Sequence, residues 1–65
     1  MNDYMYYYIY LKRKHGNKIL YAKVGTEDKL MKLSNHLIKD MNCKLSDVIS
    51  ENNSLYYIIE EPKGE

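Results

Sequence analysis

The sequence contains eight tyrosines but neither phenylalanine nor tryptophan, so every aromatic ring carries a hydroxyl or an imidazole nitrogen. A tyrosine combines a large apolar ring with a polar tip, which suits a surface that is wetted part of the time. Five of the eight tyrosines fall within residues 4–11. This run therefore predicts a binding face or a partner interface rather than a dry core.

Cysteine is also scarce, since Cys43 is the only one. One cysteine cannot form an internal disulfide, and a lone thiol is typical of a reducing compartment, so we expect a cytoplasmic protein. His15, His36 and Cys43 do not form the paired short spacings of a zinc site. The three glycines are separate, so no glycine-rich phosphate loop occurs. The sequence predicts neither a metal nor a cofactor.

Long apolar runs are absent as well. The run at 4–11 is far shorter than the roughly 20 residues that a membrane-spanning helix needs, and its basic residues follow it, unlike those of a signal peptide. The 65 residues predict one domain, 1–65, without a membrane anchor. A domain this small buries only ~60% of its unfolded surface. Association with a partner is then the remaining source of stability, so we expect a homodimer.

Residues 4–13 predict a strand, because tyrosine and isoleucine favour strands. Successive side chains of a strand point to opposite faces, so the run divides into two sets. One set is Met5, Tyr7, Ile9 and Leu11, and the other is Tyr4, Tyr6, Tyr8 and Tyr10. We expect the first set to meet the core and the second to stay outside it.

The Gly-Asn pair at 16–17 predicts a tight turn, and residues 18–25 predict the returning strand. A two-residue loop would pair Ile9 with Val24 and keep the apolar residues of both strands on one face. A three-residue loop would mix apolar and polar faces, so we favour the two-residue loop. This register adds Tyr21 to the tyrosine side.

Residues 27–42 predict an amphipathic helix, with Thr26 as its N-cap and Asn42 as its C-terminal stop. Its apolar residues fall within an arc of about 160°. They are Leu30, Met31, Leu33, Leu37, Ile38 and Met41. Ser34 lies in the middle of this arc, where a small side chain would let the helix approach the sheet closely.

Residues 44–50 are consistent with either a strand or a helical turn. Residues 55–60 predict a strand that pairs with the first one and makes it central, and residues 61–65 predict a frayed acidic tail. The predicted fold is an α+β, two-layer ββαβ domain. Its antiparallel sheet has three strands, or four if 44–50 is a strand, and one amphipathic helix packs on one face.

The tyrosine side has no second layer to cover it and is the main candidate site. Its predicted interface residues are Tyr4, Tyr6, Tyr8, Tyr10 and Tyr21. Three occupants are consistent with such a surface: a second copy of the chain, a foreign protein, or stacked nucleic-acid bases. A half-solvated surface without a partner is the remaining alternative.

A second candidate is the basic hairpin. Residues 1–25 carry a net charge of +4 and residues 26–65 carry −3. The residues that could contact phosphates are Lys12, Arg13, Lys14, Lys18 and Lys23. We favour a solvated turn over a nucleic-acid contact, because the acidic second half weakens attraction to a polyanion.

Catalysis has little support in the sequence. His36, Asp40 and Cys43 are spaced at i, i+4 and i+7, but Cys43 falls beyond the predicted helix end and no pocket is expected there. We expect no catalytic residues. Cys43 is interpreted as a small buried apolar residue or an idle thiol.

These observations predict a small non-catalytic binding protein, not an enzyme. We hypothesise a homodimeric inhibitor or accessory factor, of the kind encoded by phages and mobile elements, that blocks a host macromolecule through its tyrosine-rich sheet face. One alternative is a nucleic-acid-binding module that uses the basic hairpin and the tyrosine side. Another is a nucleotide-sequestering sponge with a pocket closed between subunits.

Overall fold

A computed structural model describes residues 4–63, in which the elements follow the order ββαββ. The strands are β1 (Tyr6–Lys12), β2 (Lys18–Val24), β3 (Lys44–Glu51) and β4 (Ser54–Glu60), and the helix α1 (Glu27–Asn35) continues as a π-helical turn (His36–Asp40). The strands lie in the order β2-β1-β4-β3, and α1 packs on one side of this sheet. The prediction of an α+β domain with one helix is confirmed.

The sheet is mixed rather than wholly antiparallel. Residues Lys44–Glu51, left open by the sequence, form a strand that turns back into β4 through Asn52 and Asn53, both at positive φ. Such an Asn-Asn pair suits the two-residue turns of β-hairpins. β4 then runs parallel to β1, because the helix and β3 together supply the crossover that parallel neighbours require.

The β1–β2 hairpin has a longer loop than predicted. The Arg13 N–H donates to the Asn17 carbonyl at 2.6 Å, the Gly16 N–H donates to the Arg13 carbonyl at 2.8 Å, and Gly16 has a φ of 98°. A β-turn followed by a left-handed glycine is the usual three-residue hairpin loop. Ile9 pairs with Ala22, so the predicted register is wrong by two residues.

A β-bulge at Tyr21 keeps the apolar residues of β1 and β2 on one side of the sheet despite the three-residue loop. Leu20 pairs with Tyr10 and Ala22 pairs with Ile9, so Tyr21 is the extra residue between them. Without the extra residue, a three-residue loop would set Tyr21 opposite Ile9 and mix the two faces. The bulge reverses the alternation of β2 and returns its later residues to the core side.

The two ends of the helical segment are closed as the sequence predicts. The Lys29 N–H donates to the Thr26 side-chain oxygen at 3.3 Å, which is an N-cap. At the other end Asn42 adopts a φ of 62°, and the Cys43 N–H donates to the Leu37 carbonyl at 2.9 Å. A left-handed asparagine after the last turn is a common helix stop. Within residues 4–63, no helix is long and apolar enough to cross a membrane.

The core lies between the helix and one side of the sheet. Its buried members are Tyr7, Ile9, Leu11, Leu30, Leu37, Cys43 and Ile59. Ser34 is buried beneath the helix, in agreement with its expected role at a close approach. Its hydroxyl has no hydrogen-bond partner among the described residues, so Ser34 contributes to packing through its small volume and not through a hydrogen bond.

The beginning of the tyrosine run departs from strict alternation. β1 starts at Tyr6, so Tyr4 and Met5 precede the strand. Tyr4 packs edge-to-face on Tyr7 at 5.9 Å between ring centroids and accepts a hydrogen bond from the Ser50 hydroxyl at 3.1 Å. Met5 is 63% exposed. The predictions of Tyr4 outside the core and Met5 within it are wrong, because the two-residue period applies only inside the strand.

The unpaired hydroxyl of Ser34 gives a stability prediction. Replacing Ser34→Ala should raise the free energy of unfolding by about 1 kcal/mol, because it removes a buried polar group without a partner and improves helix propensity. Chemical denaturation measures this change. Asn35→Ala, at the exposed neighbouring position, is the control for helix propensity alone. A loss of stability in Ser34→Ala would contradict the assignment of an unpaired hydroxyl.

Candidate interaction face

The side of the sheet away from α1 carries every second residue of β1. Tyr7, Ile9 and Leu11 are buried against the helix side, so alternation directs the intervening tyrosines to the opposite side. Cross-strand neighbours extend this surface over all four strands. We call it the tyrosine face; it consists of Tyr6, Tyr8, Tyr10, Lys12, Lys18, Leu20, Lys23, Lys44, Asp47, Ile49, Glu51, Ser54, Tyr56, Ile58 and Glu60.

Four rings form a continuous cluster in the middle of the tyrosine face. Tyr8 and Tyr56 stack with centroids 4.8 Å apart and an interplanar angle of 14°. Tyr10 lies 6.2 Å from Tyr56, and Tyr6 lies 6.5 Å from Tyr8. Offset and tilted ring pairs at these distances are attractive, so the rings of this cluster stabilise one another.

Two lysines of β2 lie over this cluster. The Lys23 ammonium is 4.2 Å from the centroid of Tyr6 and 5.7 Å from that of Tyr8. The Lys18 ammonium is 5.7 Å from the centroid of Tyr10. These are cation–π distances, and the lysine stems cover part of the apolar ring surface. Lys18 and Lys23 therefore belong to the face and not only to the basic hairpin.

The structure brings together three of the five predicted interface tyrosines. Tyr4 lies on the helix side, and Tyr21 is the bulge residue at the β2 edge, 39% exposed. Among the described residues, the ring contacts of the tyrosine face do not include Tyr21. Sequence reasoning missed Tyr56. Aligning β4 beside β1 in parallel register would have found it, because that register sets Tyr56 beside Tyr8.

The tyrosine face also has an apolar depression. Ile58 is only 9% exposed, although no described element covers this side. Neighbouring side chains shield it and line a shallow groove of about 130 Å³, with Lys18 and Glu51 among its polar lining residues. An apolar centre with a polar rim is the usual anatomy of a protein–protein interface.

Charge is divided across the tyrosine face. The β2 edge contributes Lys18 and Lys23, and β2 has no acidic residue. The β3 edge contributes Asp47 and Glu51, which pair across with Ile58 and Ser54 of β4. Lys44 also lies on this side, at the end of β3 opposite Glu60. The face is therefore basic along the β2 edge, aromatic in the middle, and acidic in net charge along the β3 edge.

The basic hairpin is partly neutralised within the chain. Glu61 lies 2.9 Å from the Arg13 guanidinium, accepts a hydrogen bond from the Lys14 N–H at 3.1 Å, and donates its own N–H to the Lys12 carbonyl at 2.9 Å. Glu60 lies 3.6 Å from the Lys12 ammonium. The start of the acidic tail is therefore held against the hairpin and is not frayed as predicted.

Residues 64–65 of the predicted tail lie outside the described residues. The hydrogen bond from the Lys14 N–H, together with the contact to Arg13, holds the pKa of Glu61 below its ordinary value of 4.5. Of the five basic residues predicted to contact phosphates, Lys12 and Arg13 already have acidic partners. This pairing leaves less of the hairpin charge for a polyanion.

The structure does not assemble His36, Asp40 and Cys43 into one site. The His36 Nδ1 and Asp40 Oδ2 atoms are 2.8 Å apart in an exposed pair on one helix face. Cys43 is buried, and its thiol donates to the Met41 carbonyl at 3.8 Å. Burial, assisted by the charge of Glu61, raises the pKa of this thiol, so the reactive thiolate is disfavoured.

No family model, curated protein or solved structure matches this chain. In the described part of the chain, no group of three His, Cys, Asp or Glu side chains is placed to hold a metal ion.

The Glu61 contacts give a pH prediction. Because the folded pKa is depressed, ionised Glu61 stabilises the fold at neutral pH, and this contribution is lost as the pH falls below 4.5 toward the folded pKa. Glu61→Gln should therefore lower the Tm at neutral pH, and its difference from the original chain should shrink in acid. Thermal unfolding at several pH values measures both.

Glu60→Gln is the matched control for this measurement. It removes the neighbouring carboxylate, whose contact with Lys12 is longer and has no backbone hydrogen bond, so its effect on Tm at neutral pH should be smaller. An equal effect of the two variants, or a Glu61→Gln difference that does not change with pH, would contradict the assigned role of Glu61.

Proposed function

We propose that this chain is a non-catalytic binding protein that uses the tyrosine face to cover a surface of another protein molecule. The observation that carries this proposal is the continuous cluster of Tyr6, Tyr8, Tyr10 and Tyr56 on a side that no element of residues 4–63 covers. In this role it acts as an inhibitor or accessory factor by occupying a surface. The free thiol of Cys43 fits a reducing, cytoplasmic setting.

The energetics favour a protein partner. Large apolar side chains remain exposed on this side, among them Leu20, Tyr6 and Ile49. Covering such surface gains roughly 25 cal/mol per Å². Tyrosine side chains are rigid and lose little entropy on binding, which is one reason that they are frequent among interface hot spots. The stacking of Tyr8 on Tyr56 orders the rings in advance and reduces this cost further.

The charge pattern disfavours nucleic acid as the partner. A phosphate backbone laid along the rings would gain from Lys18 and Lys23 but would meet Asp47 and Glu51 at the opposite edge. Arg13, the guanidinium of the hairpin, is already paired with Glu61. Protein surfaces present both signs of charge and can complement both edges.

The role of the tyrosine face is tested by one substitution in its centre. Tyr8→Glu should abolish binding of a stoichiometric protein partner, whether a second copy or a protein captured from a lysate, because it sets a charge in the apolar centre. Capture on immobilised chain, with light scattering for self-association, measures the loss. Circular dichroism verifies that the variant is folded.

Val48→Glu is the control for this substitution. Val48 is an exposed strand residue that pairs with Tyr57 on the helix side of the sheet, so the same charge change falls on the opposite surface. We expect the Val48→Glu variant to bind the partner as the original chain does. Loss of the partner in both variants, or in neither, would overturn the proposal.

Nucleic-acid binding is tested directly. A mobility-shift assay with single-stranded oligonucleotides at low salt should show no complex, because the two edges of the face have opposite charges. A complex whose affinity falls steeply with salt, and which Lys18→Glu removes, would replace the proposed function with base stacking on the tyrosines.

A further inference from the structure

We infer that the occupant of the tyrosine face is a second copy of this chain, packed face to face about a two-fold axis that runs parallel to the strands. This inference rests on the proposed function, because it identifies the protein that the face covers. It is carried by the distribution of charge, by the row of residues that crosses the sheet, and by the area of the face.

The charge distribution selects this axis. A half-turn about a line parallel to the strands exchanges the two edges, so β2 of each copy lies over β3 of the other. Lys23 then faces the part of β3 that lies between Asp47 and Glu51. Lys18, whose row runs through Lys12 and Glu60 to Lys44, lies over Lys44 of the other copy. A two-fold axis across the strands would place β2 over β2 and oppose lysine to lysine. The first arrangement therefore matches opposite charges at Lys23, and also where Lys12 lies over Glu60, with one like-charged contact between Lys18 and Lys44. The second arrangement opposes the lysines of the β2 edges to each other.

One row across the sheet defines how the copies meet. Tyr8 pairs with Lys23 on one side and with Tyr56 on the other, and Tyr56 pairs with Ile49. The half-turn places this row over the same row of the other copy in reverse order, so Tyr8 lies over Tyr56 and Lys23 lies over Ile49. The stacked rings of Tyr8 and Tyr56 in one copy then meet the same two rings of the other, which puts four rings in the centre.

The same row brings the charges within reach of each other. Lys23 of one copy lies over Ile49 of the other. Asp47 and Glu51 stand two residues to either side of Ile49, about 6.6 Å away along the strand. A lysine side chain spans this distance, so each Lys23 can pair with either carboxylate. The two-fold symmetry forms the contact twice.

The edges of the sheet favour a face-to-face dimer over an edge-to-edge one. β2 is bulged at Tyr21 and β3 is bulged at Ser46. Bulges twist an edge strand away and interrupt the row of backbone groups that a further strand would pair with. Association through the tyrosine face is therefore favoured over association through either edge.

The area of the face limits the size of the dimer interface. Four strands about 4.8 Å apart, of seven or eight residues that each rise about 3.3 Å, give a face of roughly 19 by 23 Å. Two such faces bury about 900 Å², just below the ~1,000 Å² that specific interfaces usually exceed. We therefore expect a reversible dimer with a dissociation constant on the order of micromolar.

Reciprocal charge reversal tests the arrangement. Sedimentation equilibrium over concentrations that bracket the micromolar range should show wild-type dimers. Lys23→Glu, and separately the double variant Asp47→Lys/Glu51→Lys, should each weaken self-association at least tenfold. An equimolar mixture of the two variants should form a heterodimer again. Lys32→Glu, an exposed lysine on the helix, is the control and should dimerise like wild type.

If wild type is monomeric throughout the concentration range, the occupant of the tyrosine face is not a second copy of the chain. The proposed function survives that result if Tyr8→Glu still loses a foreign protein. If both charge reversals weaken the dimer but the mixture of the two variants does not restore it, the proposed two-fold axis is wrong. If Lys23→Glu unfolds, Lys23→Gln replaces it, and an unchanged dimer in that variant counts against the Lys23 contacts.

Discussion

The structure depends on the two-residue period of β1 at the centre of the sheet. Both edges of β1 are hydrogen-bonded, to β2 on one side and to β4 on the other, so its alternation cannot slip without reversing every side chain. One set of residues, including the fully buried Ile9, anchors the helix. The other set is directed to the opposite side, where the described chain has no second layer. The same constraint that forms the core therefore creates the tyrosine face.

Much of this could be predicted from the sequence, because β1 and the helix have strong local signals. Thr26 and Asn42 close the helix where their cap chemistry indicates. The failures have non-local causes. The bulge at Tyr21 depends on a loop one residue longer than the Gly-Asn pair suggests, and composition cannot distinguish a parallel from an antiparallel neighbour. Tyr56 was missed for this second reason, since its place beside Tyr8 follows only from the parallel register.

Electrostatics divide the molecule into two regions with different roles. At the hairpin end, Glu61 joins Arg13 and the Lys14 backbone, so the chain satisfies its own charges there. On the tyrosine face, the basic and acidic edges are separated by the aromatic centre and are not paired with each other. Lys23 lies over rings rather than beside a carboxylate. Separated edges of opposite net sign would complement a copy of the same face, and this is the physical basis of the proposed self-association.

Two-dimensional NMR spectra recorded over a dilution series test the proposed self-association most directly. If two copies meet through the tyrosine face, the signals of Tyr8, Tyr56 and Lys23 shift as the protein is diluted through the micromolar range. Those of Val48 and Lys32, on the other side of the molecule, stay in place. Spectra that do not change with concentration, or changes confined to the helix side, would contradict the account.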